Sequence, residues 1–230
     1  MAPTSRYRSI ADLPGEIPVF PLRGVILLPR AELPLNIFEP RYLAMIEDAI
    51  AGRRIVGIIQ PEHTGEPAES PAGRMALKRI GCAGRITAFQ ELADGRLGIT
   101  LSGICRFTIQ AEPPTDKPYR LADVSYARFE ADLSPDTSSE AIDREKLMRV
   151  LKLYLDSRQL KADWNAVSRA PLEPLVNSLS AMSPFGPEEK QALLEAADLE
   201  QRTTVLVTLA QMAIAAGSSS SSSSSGTTLQ

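Results

Sequence analysis

Few side chains in this sequence have the type and spacing that catalysis requires. The one histidine, His63, lies in a polar stretch, PEHTGEPAESPAG (61–73). A Ser/His or Cys/His triad would therefore have a single base and no local apolar scaffold to orient it, and an exposed loop histidine is the preferred reading. Cys82 and Cys105 stand in apolar stretches with 22 residues between them. That separation lacks the tight C-x-x-C or H-E-x-x-H spacing that puts metal ligands on one face, and two cysteines make no disulfide framework, so both read as small buried thiols. Glu47 and Asp48, or Glu188 and Glu189, are adjacent carboxylates, and neighbours on a helix point apart instead of converging on one substrate atom. No Gly-Lys pair exists to form a phosphate-cradling P-loop, and no glycine-rich turn surrounds a candidate serine. The expectation is no catalytic residue, no metal and no cofactor.

Recognition is the chemistry that remains. Glu39, Arg41 and Arg106 are charges set among apolar neighbours, where an unpaired ion would be costly. The preferred reading is a salt-bridged network that locks a helix onto a sheet, and the alternative is a binding role. Leu27, Leu28 and Leu33 lie in IPVFPLRGVILLPRAELPLNIFEPRY, a segment that interleaves Pro18, Pro21, Pro29, Pro34 and Pro40 with large apolar side chains. Proline removes backbone donors and fixes φ, so this segment is expected to be an edge strand running into poorly paired extended chain. Its leucines are either ordinary core or an apolar surface for polypeptide. A formal net charge of -3 and a pI near 5.4 supply no field for nucleic acid or an anionic membrane. The basic cluster Arg74, Lys78, Arg79 and Arg85 reads as a solvated face.

The elements that must position these residues fall into two halves. In the first, IPVF (17–20), RIVGIIQ (54–60), CAGRITAFQEL (82–92), RLGITLSGICRFTIQ (96–110) and YRLADVSYARF (119–129) are rich in β-branched and aromatic residues, several of them alternating with period two. Ala93-Asp94-Gly95 predicts a hairpin between the third and fourth. Gly81, Gly84, Gly98 and Gly103 interrupt these runs, as at bulges and bends, which implies a curved, barrel-like sheet. Pro40 opens a helix whose apolar face includes Tyr42, Leu43, Met45, Ile46, Ala49 and Ile50, and Gly52 stops it.

Around EADLSPDTSS (130–139) the composition turns polar and the period changes to 3.6. Leu147, Val150, Leu151 and Tyr154 share one helical face, and Leu172, Leu175, Val176, Leu179 and Met182 share another. Pro187 opens a helix through EEKQALLEAA. Asp198 with Gln201 then predicts a capping box ahead of Leu199, Leu206, Leu209 and Ala213. The division expected is an N-terminal extension (1–16), a barrel (17–130), a helical bundle (138–216) and a disordered serine-rich tail (217–230). The start of the chain has no apolar h-region before a cleavage site, and VLVTLAQMAIAA falls short of the roughly 20 residues that span a membrane, so a cytoplasmic protein is expected.

IPVFPLRGVILLP, LPLNIFEPRYLAMIEDAI, GRITAFQELADGRLGITLSGICRF and EEKQALLEAADLEQR, taken together and in this order, resemble the Lon substrate-binding domain, the N-terminal domain of ATP-dependent Lon proteases. The likeness runs from residue 17 to about 210. It implies an α+β fold, a PUA-like β-barrel with one inserted helix followed by a C-terminal helical bundle, and a non-catalytic role. The ATPase and Ser-Lys protease of Lon enzymes lie on later domains that do not follow here, so the chain reads as a stand-alone member. The function expected is polypeptide recognition, as an adaptor or accessory factor in protein quality control. Its partners would be unfolded or partly exposed polypeptides, or a protease, with no nucleic acid and no membrane. The alternatives are a minimal peptidase and a scaffold for a fixed partner complex.

Overall fold

A computed structural model of the chain describes residues 7–62, 75–93, 95–134, 142–159 and 163–221. His63, Arg74 and Asp94 lie outside them, as do most of 61–73, the end of 130–139 and positions 222–230. The chain divides into two compact units, the first comprising Met1–Asp136 with Ala181–Glu195 and the second Thr137–Ser180 with Ala196–Gln230.

The first unit holds six strands: β1 (Glu16–Pro21), β2 (Glu32–Ile37), β3 (Ile55–Ile59), β4 (Ile80–Glu91), β5 (Leu97–Ala111) and β6 (Arg120–Ser125). The sheet is mixed. β1 and β3 run parallel, and every other pairing is antiparallel. Neighbours follow the order β2-β5-β4-β3-β1-β6, and β5 pairs with β6 as well, so five strands form a closed cycle of pairings with β2 attached to β5. The long β5 serves two partners in turn, β2 through Leu97–Ser102 and β6 from Thr108 onward. Between the two stretches lies Gly103, where a Cβ would overlap the Leu28 carbonyl oxygen. The predicted hairpin closes β4 onto β5. Gly95 takes φ 79°, its amide donates to the Leu92 carbonyl at 3.0 Å, and Leu92 N donates to Arg96 O at 2.8 Å.

Two sequence expectations change here. The proline-rich segment is not poorly paired: ELPLNI forms β2, in register with β5 from Glu32↔Ser102 to Ile37↔Leu97. Pro34 is tolerated because β2 ends the strand order, where a missing donor costs least. Leu27 and Leu28 are not a surface. They are 1% and 0% exposed, because Gly84 leaves room for the Leu27 side chain and Gly103 lets the backbone at Leu28 approach. Arg30 N donates to Gly103 O and Gly103 N to Ala31 O, each at 2.9 Å, which ties the segment down. Burying each such leucine contributes roughly 1.5–3 kcal/mol.

Helix α1 (Pro40–Ala51) starts and stops where the sequence places it, with Pro40 in its first turn and the Gly52 amide capping the Asp48 and Ala49 carbonyls. Helix α5 (Pro187–Glu195) belongs to this unit and not with the other C-terminal helices, contrary to expectation. Polar anchors are the reason. Gln60 Nε2 donates to Pro187 O (2.9 Å) and Gln191 Oε1 (3.1 Å), and Gln191 Nε2 donates to Ile80 O (3.1 Å).

The second unit contains α2 (Arg144–Ser157), α3 (Trp164–Arg169), α4 (Leu172–Met182, whose last two residues fall in the first unit) and α6 (Leu199–Ser221). Asp143 caps α2 by accepting from Lys146 N at 2.9 Å, and the predicted face Leu147, Val150, Leu151 and Tyr154 is buried. The short α3 carries no sequence signal. Its carbonyls at Val167 and Ser168, with that of Ala170, accept from Arg144 Nη2. The buried stripe of α4 includes Asn177 and Ser180 and omits Met182, which is 82% exposed. Asn177 Oδ1 accepts from Arg202 of α6 at 3.0 Å, a polar contact that the apolar pattern does not register. Asp198 caps α6 through Gln201 N, while Gln201 reaches back to Ala197 N in place of Asp198 N. Helix α6 continues to Ser221, past the position where a disordered tail was expected to begin.

Candidate functional site

A cleft of about 490 Å³ opens on the first unit where β1, the start of α1, and the chain leading into β6 meet. Its walls combine rigid and aromatic groups: Val19 and Pro21 from β1, Tyr42 from α1, then Pro61, Pro118 and Tyr119. Met75, 62% exposed, and the half-buried Leu77 complete the apolar lining.

Each wall is held by identifiable contacts. The ring of Tyr42 stacks 4.1 Å from that of Phe20 at a 36° tilt, and the Arg41 guanidinium lies 4.5 Å from its centroid. The Tyr119 hydroxyl donates to Asp48 Oδ2 at 2.6 Å, and the same oxygen accepts from Lys117 Nζ at 2.7 Å. Lys117, then Tyr119, holds the Asp48 carboxyl below its ordinary value. Burial, followed by the bond to Asp48, pushes the Tyr119 phenol up. Both shifts keep a charged acceptor facing a neutral donor, which fixes the ring as a wall. Arg120 grips Glu112 with two bonds and donates through Nη1 to Met75 O at 2.7 Å, so the backbone under Met75 is anchored while its side chain stays open.

The rim is cationic. Arg41 is balanced by Glu39 at 2.7 Å and Arg120 by Glu112 at 2.5 Å. Arg23, also in the lining, makes no ion pair among the described residues. The site offers flat aromatic and proline surfaces with one uncompensated guanidinium, a lining suited to apolar side chains of an extended chain. It contains no thiol or imidazole among the described residues.

The residues singled out by sequence scatter. Leu27 and Leu28 are core, and Leu33 is half-buried on β2. Glu39, Arg41 and Arg106 form no single network. Glu39 and Arg41 pair with one another at the cleft, both about half exposed. Arg106 is 3% exposed and lies elsewhere: Nε and Nη2 donate to the two Asp132 carboxylate oxygens at 2.9 and 2.8 Å, Nη1 donates to Leu194 O, and its Cζ sits 4.4 Å from the Phe129 centroid. Cys82 and Cys105 are 0% exposed, and burial raises both thiol pKa values, which makes them poor nucleophiles. Of the basic cluster, Lys78 pairs with Glu188 and Arg85 donates to the Tyr7 hydroxyl. No group of acidic, histidine or cysteine side chains that could hold a metal occurs among the described residues. No described helix is long and apolar enough to cross a membrane. In the sequence Tyr42 falls on a helix face and Tyr119 in a strand, and neither position signals a cleft, because its walls come from segments far apart in the chain.

The family model described as the ATP-dependent protease La (LON) substrate-binding domain matches residues 16–211. Lon protease 2 of Myxococcus xanthus is 27% identical over 205 residues, which cover 86% of this chain and 24% of that protein. The Lon protease of Flavobacterium johnsoniae is 26% identical, covering 88% and 24%. The chain thus spans about a quarter of the length of these curated relatives. Among solved structures, a Lon N-terminal domain protein from Xanthomonas campestris superposes with a TM-score of 0.59 at 22% identity, covering 84% of this chain and 97% of that one. The N-terminal domain of the Mycobacterium avium complex Lon protease gives 0.59 at 19%, covering 85% and 98%. At these identities the likeness is one of fold, a mixed sheet with several helices.

Proposed function

We propose, from the premise that the chain belongs to the ATP-dependent protease La (LON) substrate-binding domain family, that it holds extended apolar polypeptide segments in the Tyr42–Tyr119 cleft without cleaving them. The family supplies substrate recognition as the general role. The observation that carries the finer reading is the cleft, where three prolines and two tyrosines form walls already fixed before a ligand arrives. Preorganised walls lower the ordering cost of binding, and an open thioether at Met75 provides adaptable apolar contact. The closed cycle of strand pairings supports describing the first unit as a PUA-like barrel, and the helices of the second as a bundle. An adaptor or accessory role in cytoplasmic protein quality control fits recognition without chemistry.

An extended peptide loses conformational freedom on binding, so the expected affinity is micromolar or weaker, about -8 kcal/mol or less in magnitude. Fluorescence anisotropy of a labelled unfolded apolar peptide tests the assignment. Met75→Asp should weaken binding by about fivefold or more, since a charge replaces an exposed apolar contact. Leu153→Ser, at a 60% exposed position of α2, should leave it unchanged. Equal affinity of wild type and Met75→Asp would exclude the cleft. An absence of binding to any unfolded peptide at high concentration would replace capture with a scaffold role for a fixed partner.

A further inference from the structure

A second cavity in the first unit, also about 490 Å³, has the opposite character: its lining is polar and dominated by Arg53, Arg54 and Arg85. Local structure brings these three together. Arg53 and Arg54 end the turn after α1, and the next residue, Ile55, pairs directly with Arg85 in the β3–β4 register. Arg54 sits in the left-handed region at φ 60°, unusual for a long side chain. It is held there because its amide donates to Ala49 O and its carbonyl accepts from Ile86 N, both at 2.8 Å. Arg85 is held by Nη1, which donates to the Tyr7 hydroxyl at 3.0 Å and to Arg53 O at 3.3 Å. Tyr7 is only 6% exposed, so the guanidinium is oriented by a fixed group.

The charge in this cavity is not balanced. None of the three arginines makes an ion pair among the described residues. The one carboxylate in the lining, Asp12, spends Oδ2 on the amides of Arg8 and Ser9, at 2.8 and 3.0 Å. The C-terminal end of α1 contributes about half a negative charge, too little to offset what three guanidinium groups leave over after one carboxylate. Three forked donors around a polar, ligand-sized space match tetrahedral oxyanions, whose several oxygens accept paired guanidinium bonds.

We propose that the Arg53–Arg54–Arg85 cavity is a binding site for a phosphate-type oxyanion, taken either free or as the terminal group of a phosphorylated small molecule. It is separate from the Tyr42–Tyr119 cleft and does not depend on peptide capture. Isothermal titration with inorganic phosphate, pyrophosphate and adenosine 5′-monophosphate, at ionic strength matched with sodium chloride, tests it. The full chain should bind at least one of these saturably, and Arg53→Gln should weaken that binding about tenfold or more, the loss expected for a charge-assisted hydrogen bond. Arg85→Gln should do the same, and because Arg53 is exposed, its variant remains informative if removing the Arg85–Tyr7 bond impairs folding. Arg79→Gln, exposed and outside the cavity, should bind as wild type. Tighter binding of the nucleotide than of phosphate identifies an ester ligand, and the reverse identifies the free anion. No saturable heat with any probe, equal affinity of Arg53→Gln and wild type, or binding of an acidic peptide in place of every phosphate probe would overturn the assignment.

Discussion

Removing the carboxylate of Asp132 should be among the most destabilising single changes available to the first unit. The Arg106 guanidinium is 3% exposed and the Asp132 side chain 9%, so the pair is almost dry. Asp132 also accepts from the Arg106 amide at 2.9 Å, and its own carbonyl accepts from Arg30 Nη1 at 2.5 Å. Asp132→Ala deprives a buried guanidinium of its carboxylate and takes an acceptor from the Arg106 amide, a combination that costs about 3–5 kcal/mol. Against a total stability of about 5–15 kcal/mol, that is a third or more for many domains. With a urea m-value of about 2 kcal/mol/M, the midpoint followed by far-UV circular dichroism should fall by roughly 1.5–2.5 M. The double variant Arg106→Met, Asp132→Leu removes both charges together and should lie far closer to wild type than the sum of the single variants. A midpoint shift below about 0.5 M for Asp132→Ala at unchanged m, or a double variant as unstable as that sum, would refute the claim that a dry, mutually dependent ion pair sits here.

Gly103→Ala should be severely destabilising, by about 3 kcal/mol or more, because the new methyl meets the Leu28 carbonyl, a backbone group already held by the Ala31 amide. Gly98→Ala on the same strand, whose nearest atoms would be 3.8 Å away, should change the urea midpoint little. On the acid side, Asp48 has a folded pKa below its ordinary 3.8, so its contribution is present above that value and is lost as pH falls through the folded pKa. The melting temperature of Asp48→Asn should therefore decline less than that of wild type between about pH 5 and pH 2.5, and parallel curves would contradict the Lys117–Asp48–Tyr119 linkage.

What the sequence made legible was local. Helix α1 could be read because Pro40, a 3.6-residue apolar stripe and Gly52 are all nearest-neighbour signals, and the β4–β5 hairpin because Gly95 must take a positive φ. The remainder depended on surfaces far apart in the chain. Proline counted against β2, yet its acceptability is decided by β2 lying at the end of the strand order. Leu27 and Leu28 looked available because nothing near them in sequence covers them, while their partners are the missing side chains of Gly84 and Gly103. Arg106 announced a need for a counter-ion, but the one it found, Asp132, lay in a polar stretch that composition marks as a boundary. Pro187 marked the start of α5 without saying which surface the helix would cover. Neither cavity was legible, since each draws residues from several separated segments.

The place of α5 sets an order of events during synthesis. The carbonyl of Leu194 that Arg106 bonds, and the Gln191 side chain that reaches Ile80, are translated long after β6 has left the ribosome. At about 5–20 residues per second, the roughly 60 residues from Asp132 to Leu194 take some 3–12 s to make. Throughout that interval the nascent sheet carries Arg106 and Gln60 without their α5 acceptors, and the strands must persist, or be shielded by a chaperone, until the helix is delivered to them.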